Sequence, residues 1–193
     1  MVEQQKQEPE IPYLTRIQVL GAMGATAIIL WIVAKLWLRF GEVSIFPWRW
    51  HEKDLLLGVG LGLIITTLSG LTYRLIPAYR KSADYYLDLV LKPLVLPDII
   101  WLGLLPGLSE ELLFRGVMIP ALGADHVAVI VSSLCFGVLH LSGSQQWPYV
   151  LWATIVGLML GYSAILSGNL LVPIIAHIIT NLISSYMWKL RKA

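Results

Sequence analysis

From His126 to Trp188 the chain runs for 63 residues without one Asp, Glu, Lys or Arg. No small water-soluble fold tolerates that, because its surface is large relative to its volume and about a quarter of its residues are charged. Here 13% of 193 residues are charged and 57% are hydrophobic. Mean hydropathy is +0.73. These figures also exclude a disordered chain. A single cysteine, Cys135, excludes a disulfide framework. A net charge of +2 is no footprint for nucleic acid. What remains is an all-α, polytopic integral membrane bundle whose first partner is the lipid bilayer.

The uncharged runs Ile17–Ala34 and Leu55–Tyr73, 18 and 19 residues long, predict two membrane helices. Residues 1–16 are polar with two prolines and read as a cytoplasmic tail rather than a signal peptide. Between the helices, Trp48 and Trp50 suit headgroup depth. The stretch from Arg74 to Lys92 mixes Arg80, Lys81, Asp84 and Asp88 with Tyr79, Tyr85 and Tyr86, which fits an amphipathic surface helix or a solvated loop equally well. Pro97, Pro106 and Gly107 break the apolar stretch from Pro93 to Leu122, so a kinked span is expected, its second part capped by Ser109. Helical segments follow at 126–142, 147–167 and 169–188. The expected organisation is a tail at 1–16, two membrane helices plus a basic connector at 17–92, a core at 93–188 and a basic tail at 189–193. That makes six or seven spans. The basic loops put both termini on the cytoplasmic side.

Within the core, an ionisable residue costs at least about 2.5–3.5 kcal/mol to hold in the bilayer. The few present are therefore where function is sought. They gather in Glu110-Glu111-Leu112-Leu113-Phe114-Arg115, Phe136-Gly137-Val138-Leu139-His140 and His177-Ile178-Ile179-Thr180-Asn181. Residues four apart share a helix face. Glu111 can then pair with Arg115, Phe136 supports His140, and His177 and Asn181 point the same way. Glu110 lies about 100° round the helix from Glu111 and is free to face a pocket with His140 as an acid/base group. A lone buried histidine often only bonds a neighbouring helix. Two acids, an arginine, two histidines and an asparagine on three otherwise uncharged segments argue for a site. His51 and His126 lie at loop and helix-start positions and read as interfacial or capping.

In this order, EExxxR, FxxxH and HxxxN resemble the CPBP family of intramembrane proteases. That family includes the type II CAAX prenyl endopeptidases and bacteriocin-processing and immunity-related proteins. All three motifs match, over about Pro93 to Trp188. The resemblance implies an endopeptidase cutting a membrane-associated, possibly prenylated, CAAX-type protein or peptide. It implies that Glu110 and His140 activate water and that His177 and Asn181 stabilise the oxyanion. Glu111, Arg115 and Phe136 are supporting residues. A zinc version would take Glu110, His140 and His177 as ligands with water fourth. HExxH is absent and Asn181 is a better oxyanion donor than zinc ligand, so a glutamic mechanism without cofactor is favoured. Two other functions compete. Against a catalytically silent adaptor or immunity-type protein stands the intact polar set, and against a transporter the lack of internal repeats.

Overall fold

The computed structural model describes residues 14–192. Most of the expected N-terminal tail, residues 1–13, lies outside the described residues, as does Ala193. In chain order the helices are α1 (Arg16–Phe40), α2 (Glu52–Leu75), α3 (Pro77–Leu91), α4 (Ile99–Glu111), a π-helical stretch (Leu112–Met118), the single turn α5 (Ile119–Ala121), α6 (His126–Val138), α7 (Trp147–Ser167) and α8 (Leu171–Lys192). Among the described residues there is no strand. Local chemistry explains the boundaries. A Thr15–Gln18 capping box starts α1. The His51 ring accepts the Lys53 amide to start α2. Asp125 accepts the Ala128 amide at 2.8 Å to start α6. Gly168 ends α7 at φ 62, the left-handed region that glycine reaches without strain.

α8 is the central element, packed against α2, α4 and α7. Two glycine pairs permit this. Gly58 and Gly62 on α2, and Gly103 and Gly107 on α4, each sit one turn apart facing α8. A Cβ at Gly58 would come within 2.7 Å of Ile175, and one at Gly62 within 2.8 Å of Ile179. At Gly103 it would meet Leu182 at 2.6 Å, and at Gly107 Ile178 at 2.5 Å. In lipid no hydrophobic force drives helices together, so this close approach supplies the packing energy. α1 lies outermost. Its Leu30 and Ala34 pack on Leu113, Phe114 and Val117, while Ile28, Ile29 and Trp31 face outward.

Four helices are long and apolar enough to cross a membrane: Arg16–Phe40, Glu52–Leu75, Ser144–Ser167 and Leu171–Lys192. A bent pair, Pro77–Leu91 with Leu96–Ala121 at 104°, makes a fifth. This lowers the expected six or seven. The physical reason is that α6 is apolar but only 13 residues long, and the amphipathic 74–92 stretch is a helix joined to the next span by a sharp corner. Arg16 holds that corner through two 2.8 Å bonds from Nε and Nη2 to Asp98, whose Oδ2 also accepts the Val95 amide. Lys189 donates to the Leu94 carbonyl from the last turns of α8, so the expected basic tail is mostly helix.

The break in the 93–122 segment also differs from expectation. The helix runs through Pro106, and Ser109 is no cap: its hydroxyl donates to the Leu105 carbonyl at 2.7 Å. The disturbance comes instead at Leu112–Met118, where the ladder slips by one residue and the Ile119 amide reaches the Phe114 carbonyl. Displaced carbonyls take outside partners: Phe114 accepts Ser132 at 3.0 Å, and Gly116 accepts the Phe46 amide at 2.8 Å. Phe46 belongs to the extended segment between α1 and α2. That segment is pinned further by the buried Asn169, whose side chain bonds both the amide and the carbonyl of Arg49 and also Asp54.

The glycine packing gives a paired prediction. Gly62→Ala forces its new methyl group onto Ile179 and should lower stability by about 1–3 kcal/mol, the usual cost of overpacking. Gly60→Ala, on the same helix with nothing within 4 Å of its Cβ position, should be neutral or stabilising. Denaturant titration in micelles compares the two; equal effects would contradict this packing.

Candidate functional site

The site is built on one carboxylate oxygen. Glu111 Oε1 accepts from Arg115 Nη1 at 2.8 Å and from His177 Nδ1 at 2.7 Å. Glu111 is 0% exposed, Arg115 1% and His177 6%. The i, i+4 pair foreseen within the first motif is present, and the carboxylate also links that motif to the third, 66 residues away. Arg115 extends the link to α7, its Nη2 donating to the Gly157 carbonyl at 2.9 Å. Its guanidinium carbon lies 4.5 Å from the centre of the Phe136 ring, a cation–π contact with the second motif. Phe136 packs in turn against His140 at 4.8 Å and edge-on to His177 at 5.8 Å. Three motifs distant in sequence thus become one cluster.

Both histidines are oriented through Nδ1. A carboxylate only accepts, so His177 carries its proton on Nδ1 toward Glu111 and turns Nε2 away. His140 lies just past the end of α6, which stops at Val138 rather than continuing to 142. The last carbonyls of a helix lack internal partners. His140 Nδ1 donates to one of them, Phe136 O, at 2.9 Å, so its Nε2 is a free lone pair when the ring is neutral.

Glu110, His140, His177 and Asn181 all line a single cavity of about 370 Å³. Glu111 is not part of its lining. Glu110 Oε2 is buried and has no hydrogen-bond partner in the protein. Among the described residues Glu111 Oε2, Ser142 Oγ and Trp188 Nε1 share this state, but of the four residues only Glu110 lines the cavity, where water or another polar group can reach it. Asn181 is placed by a proline. Pro106 has no N–H to give to the carbonyl four residues back, Leu102. Asn181 Nδ2 donates to that carbonyl at 3.4 Å instead. His177 and Asn181 both lie on α8 and both line the cavity. Each already spends one N–H on the protein, leaving one amide proton on Asn181 and, on His177, an Nε2 that donates only as imidazolium.

Sequence reading missed the cavity's aromatic wall. Tyr86 of α3 and Tyr149 of α7 stack at 4.6 Å, and their ring centres lie 6.1 and 6.2 Å from His140. Trp152 lines the same wall, its indole N–H donating to Ser69 at 3.1 Å. Tyr86 was legible only as part of an amphipathic face, and Tyr149 carried no motif. His51 and His126 lie apart: His51 caps α2, and His126 contacts the Tyr162 hydroxyl at 3.3 Å. Among the described residues no group of three or more His, Cys, Asp or Glu is arranged to hold a metal ion. Glu110, His140 and His177, the ligands of the zinc version, all line the cavity, and both histidines bond the protein through Nδ1, which leaves each Nε2 unengaged.

Residues 92–183 match the family model described as type II CAAX prenyl endopeptidase Rce1-like. The chain is also similar to the uncharacterized protein YpbD of Bacillus subtilis (strain 168), 28% identical over 133 residues, which is 67% of this chain and 68% of that protein. No solved structure matches.

Arg115→Leu leaves Glu111 buried without its main counter-charge and should cost about 3–5 kcal/mol of stability, as removal of one partner of a buried pair does. Thermal unfolding in detergent tests this. A melting point like that of the unsubstituted protein would contradict the role given to the pair.

Proposed function

We propose that this chain, whose residues 92–183 match the Rce1-like model of type II CAAX prenyl endopeptidases, hydrolyses a peptide bond of a membrane-associated, CAAX-type protein or peptide by a glutamic mechanism. The family supports an intramembrane protease, and apolar helices able to span a bilayer agree with it. The finer reading rests on one observation: Glu110 presents a buried carboxylate oxygen without a protein partner to the cavity that His140, His177 and Asn181 also line.

In this mechanism a water molecule sits between Glu110 and the Nε2 lone pair of His140. Glu110 removes its proton as the water oxygen attacks the scissile carbonyl carbon. The carbonyl oxygen gains negative charge and is met by the second N–H of Asn181 and by Nε2–H of a protonated His177. Glu111 holds that ring from the other side through Nδ1, so its role is to position His177. As the C–N bond breaks, the proton held by Glu110 passes to the leaving amine. The apolar walls raise the value of each charge and hydrogen bond. Both termini lie on the cytoplasmic side in this reading, which puts Arg74, Arg80 and Lys81 at the anionic leaflet.

Glu110→Gln keeps the shape but cannot take a proton. It should lower kcat by at least about 10²-fold, the lower end of general-base contributions, with the melting point unchanged. Glu111→Gln should chiefly lower the melting point. Cleavage of CAAX-type peptides in nanodiscs, read beside thermal unfolding, separates the two. An active Glu110→Gln enzyme would overturn the assignment.

A further inference from the structure

The cavity extends beyond the groups assigned to catalysis. Along α8 its wall is a stripe of His177, Thr180, Asn181, Ser184, Met187 and Arg191, at the spacing of one helix face. Arg191 closes the stripe. Its Nε donates to the Met187 carbonyl at 3.3 Å, and its guanidinium carbon lies 5.1 Å from the centre of the Tyr73 ring. The head group is thus folded back one turn along the cavity wall. The neighbouring cations are engaged elsewhere: Lys189 with the Leu94 carbonyl, Lys192 with Asp88 at 3.5 Å. Arg191 has no carboxylate partner among the described residues. Asp84, below Tyr73, accepts the tyrosine hydroxyl at 2.8 Å.

We propose that Arg191 anchors the C-terminal carboxylate of a peptide lying in this cavity, and so sets how far from its end the peptide is cut. The proposal rests on the peptidase reading and deepens it. At 1.5 Å per residue, a guanidinium held level with Met187 lies roughly 9 Å along the axis from Asn181 and roughly 15 Å from His177. An extended peptide advances about 3.3 Å per residue. About three to four residues therefore connect a carbonyl held between His177 and Asn181 to a carboxylate at Arg191. A guanidinium grips a carboxylate through two parallel N–H bonds. A lipid phosphate offers an arginine at a helix end the same chemistry, and the experiment separates the two.

Two pools of membrane-anchored peptides, randomised in their last four residues, end either in a free carboxylate or in an amide. Wild type, Arg191→Gln and Arg191→Lys are assayed on both, in nanodiscs of phosphatidylcholine with and without phosphatidylglycerol. Wild type is expected to prefer the carboxylate pool by about tenfold to a hundredfold in kcat/KM, the range for a hydrogen bond to a charged group, cutting three or four residues from the end. Arg191→Gln should lose that preference through KM with kcat retained, and Arg191→Lys should recover part of it. Equal cleavage of both pools by wild type overturns the anchor alone. So does an Arg191→Gln loss that is the same on both pools, which points to a structural role, or to a headgroup if it varies with the lipid. Cleavage of neither pool by wild type overturns the peptidase reading and the anchor together. Activity retained in Glu110→Gln overturns only the catalytic assignment.

Discussion

The structure depends on the carboxylate of Glu111. It is fully buried, and in a chain with so few charges its partners must come from within the bundle. Arg115 and His177 share one of its oxygens, and through them it ties α4, the π-helical stretch, α7 and α8 together. Such a cluster adds little net stability, since desolvation offsets most of the attraction. Its consequence is specificity. The observed arrangement of the helices is one that gives the Glu111 carboxylate two partners in an apolar interior. That arrangement also turns His177 Nε2 away from Glu111 and stacks Phe136 between the arginine and both histidines.

Around this anchor, irregular backbone supplies the positions that side chains use. The π-helical stretch frees carbonyls that hold α6 and the extended 42–50 segment in place. Pro106 frees the Leu102 carbonyl that seats Asn181. The end of α6 leaves the Phe136 carbonyl for His140. In lipid an unpaired backbone group is costly, so each defect in a helix ladder fixes a neighbouring polar side chain. The polar groups of the cavity are thus set by the same rule that keeps the rest of the chain regular.

Much of this was legible from the chain. The long uncharged segments announced a membrane bundle, and three short motifs named the residues that gather. The Glu111–Arg115 pair followed from spacing, because it lies within one helix. The His177–Glu111 bond did not, since 66 residues separate the partners and Asn181 offered an equally good local neighbour. Pro106 and Ser109 read as a break because proline usually ends a helix. Here Asn181 serves the orphaned carbonyl and the helix continues, so the true irregularity moved to Leu112–Met118. The expected helix to 142 stopped at 138, which carried His140 from the helix face to its end. The glycine pairs at 58 and 62 and at 103 and 107 were not read as packing residues, because only the position of α8 shows what they admit.

The central claim is that Glu110 does chemistry inside a cavity held open by Glu111, Arg115 and His177. Its most direct test is a comparison of peptide termini in membranes of cells carrying the wild-type chain or Glu110→Ala. The account predicts a set of new termini present only with wild type, and the matching uncut proteins accumulating with the variant. Identical sets of termini, with both chains folded and at equal levels, would contradict it.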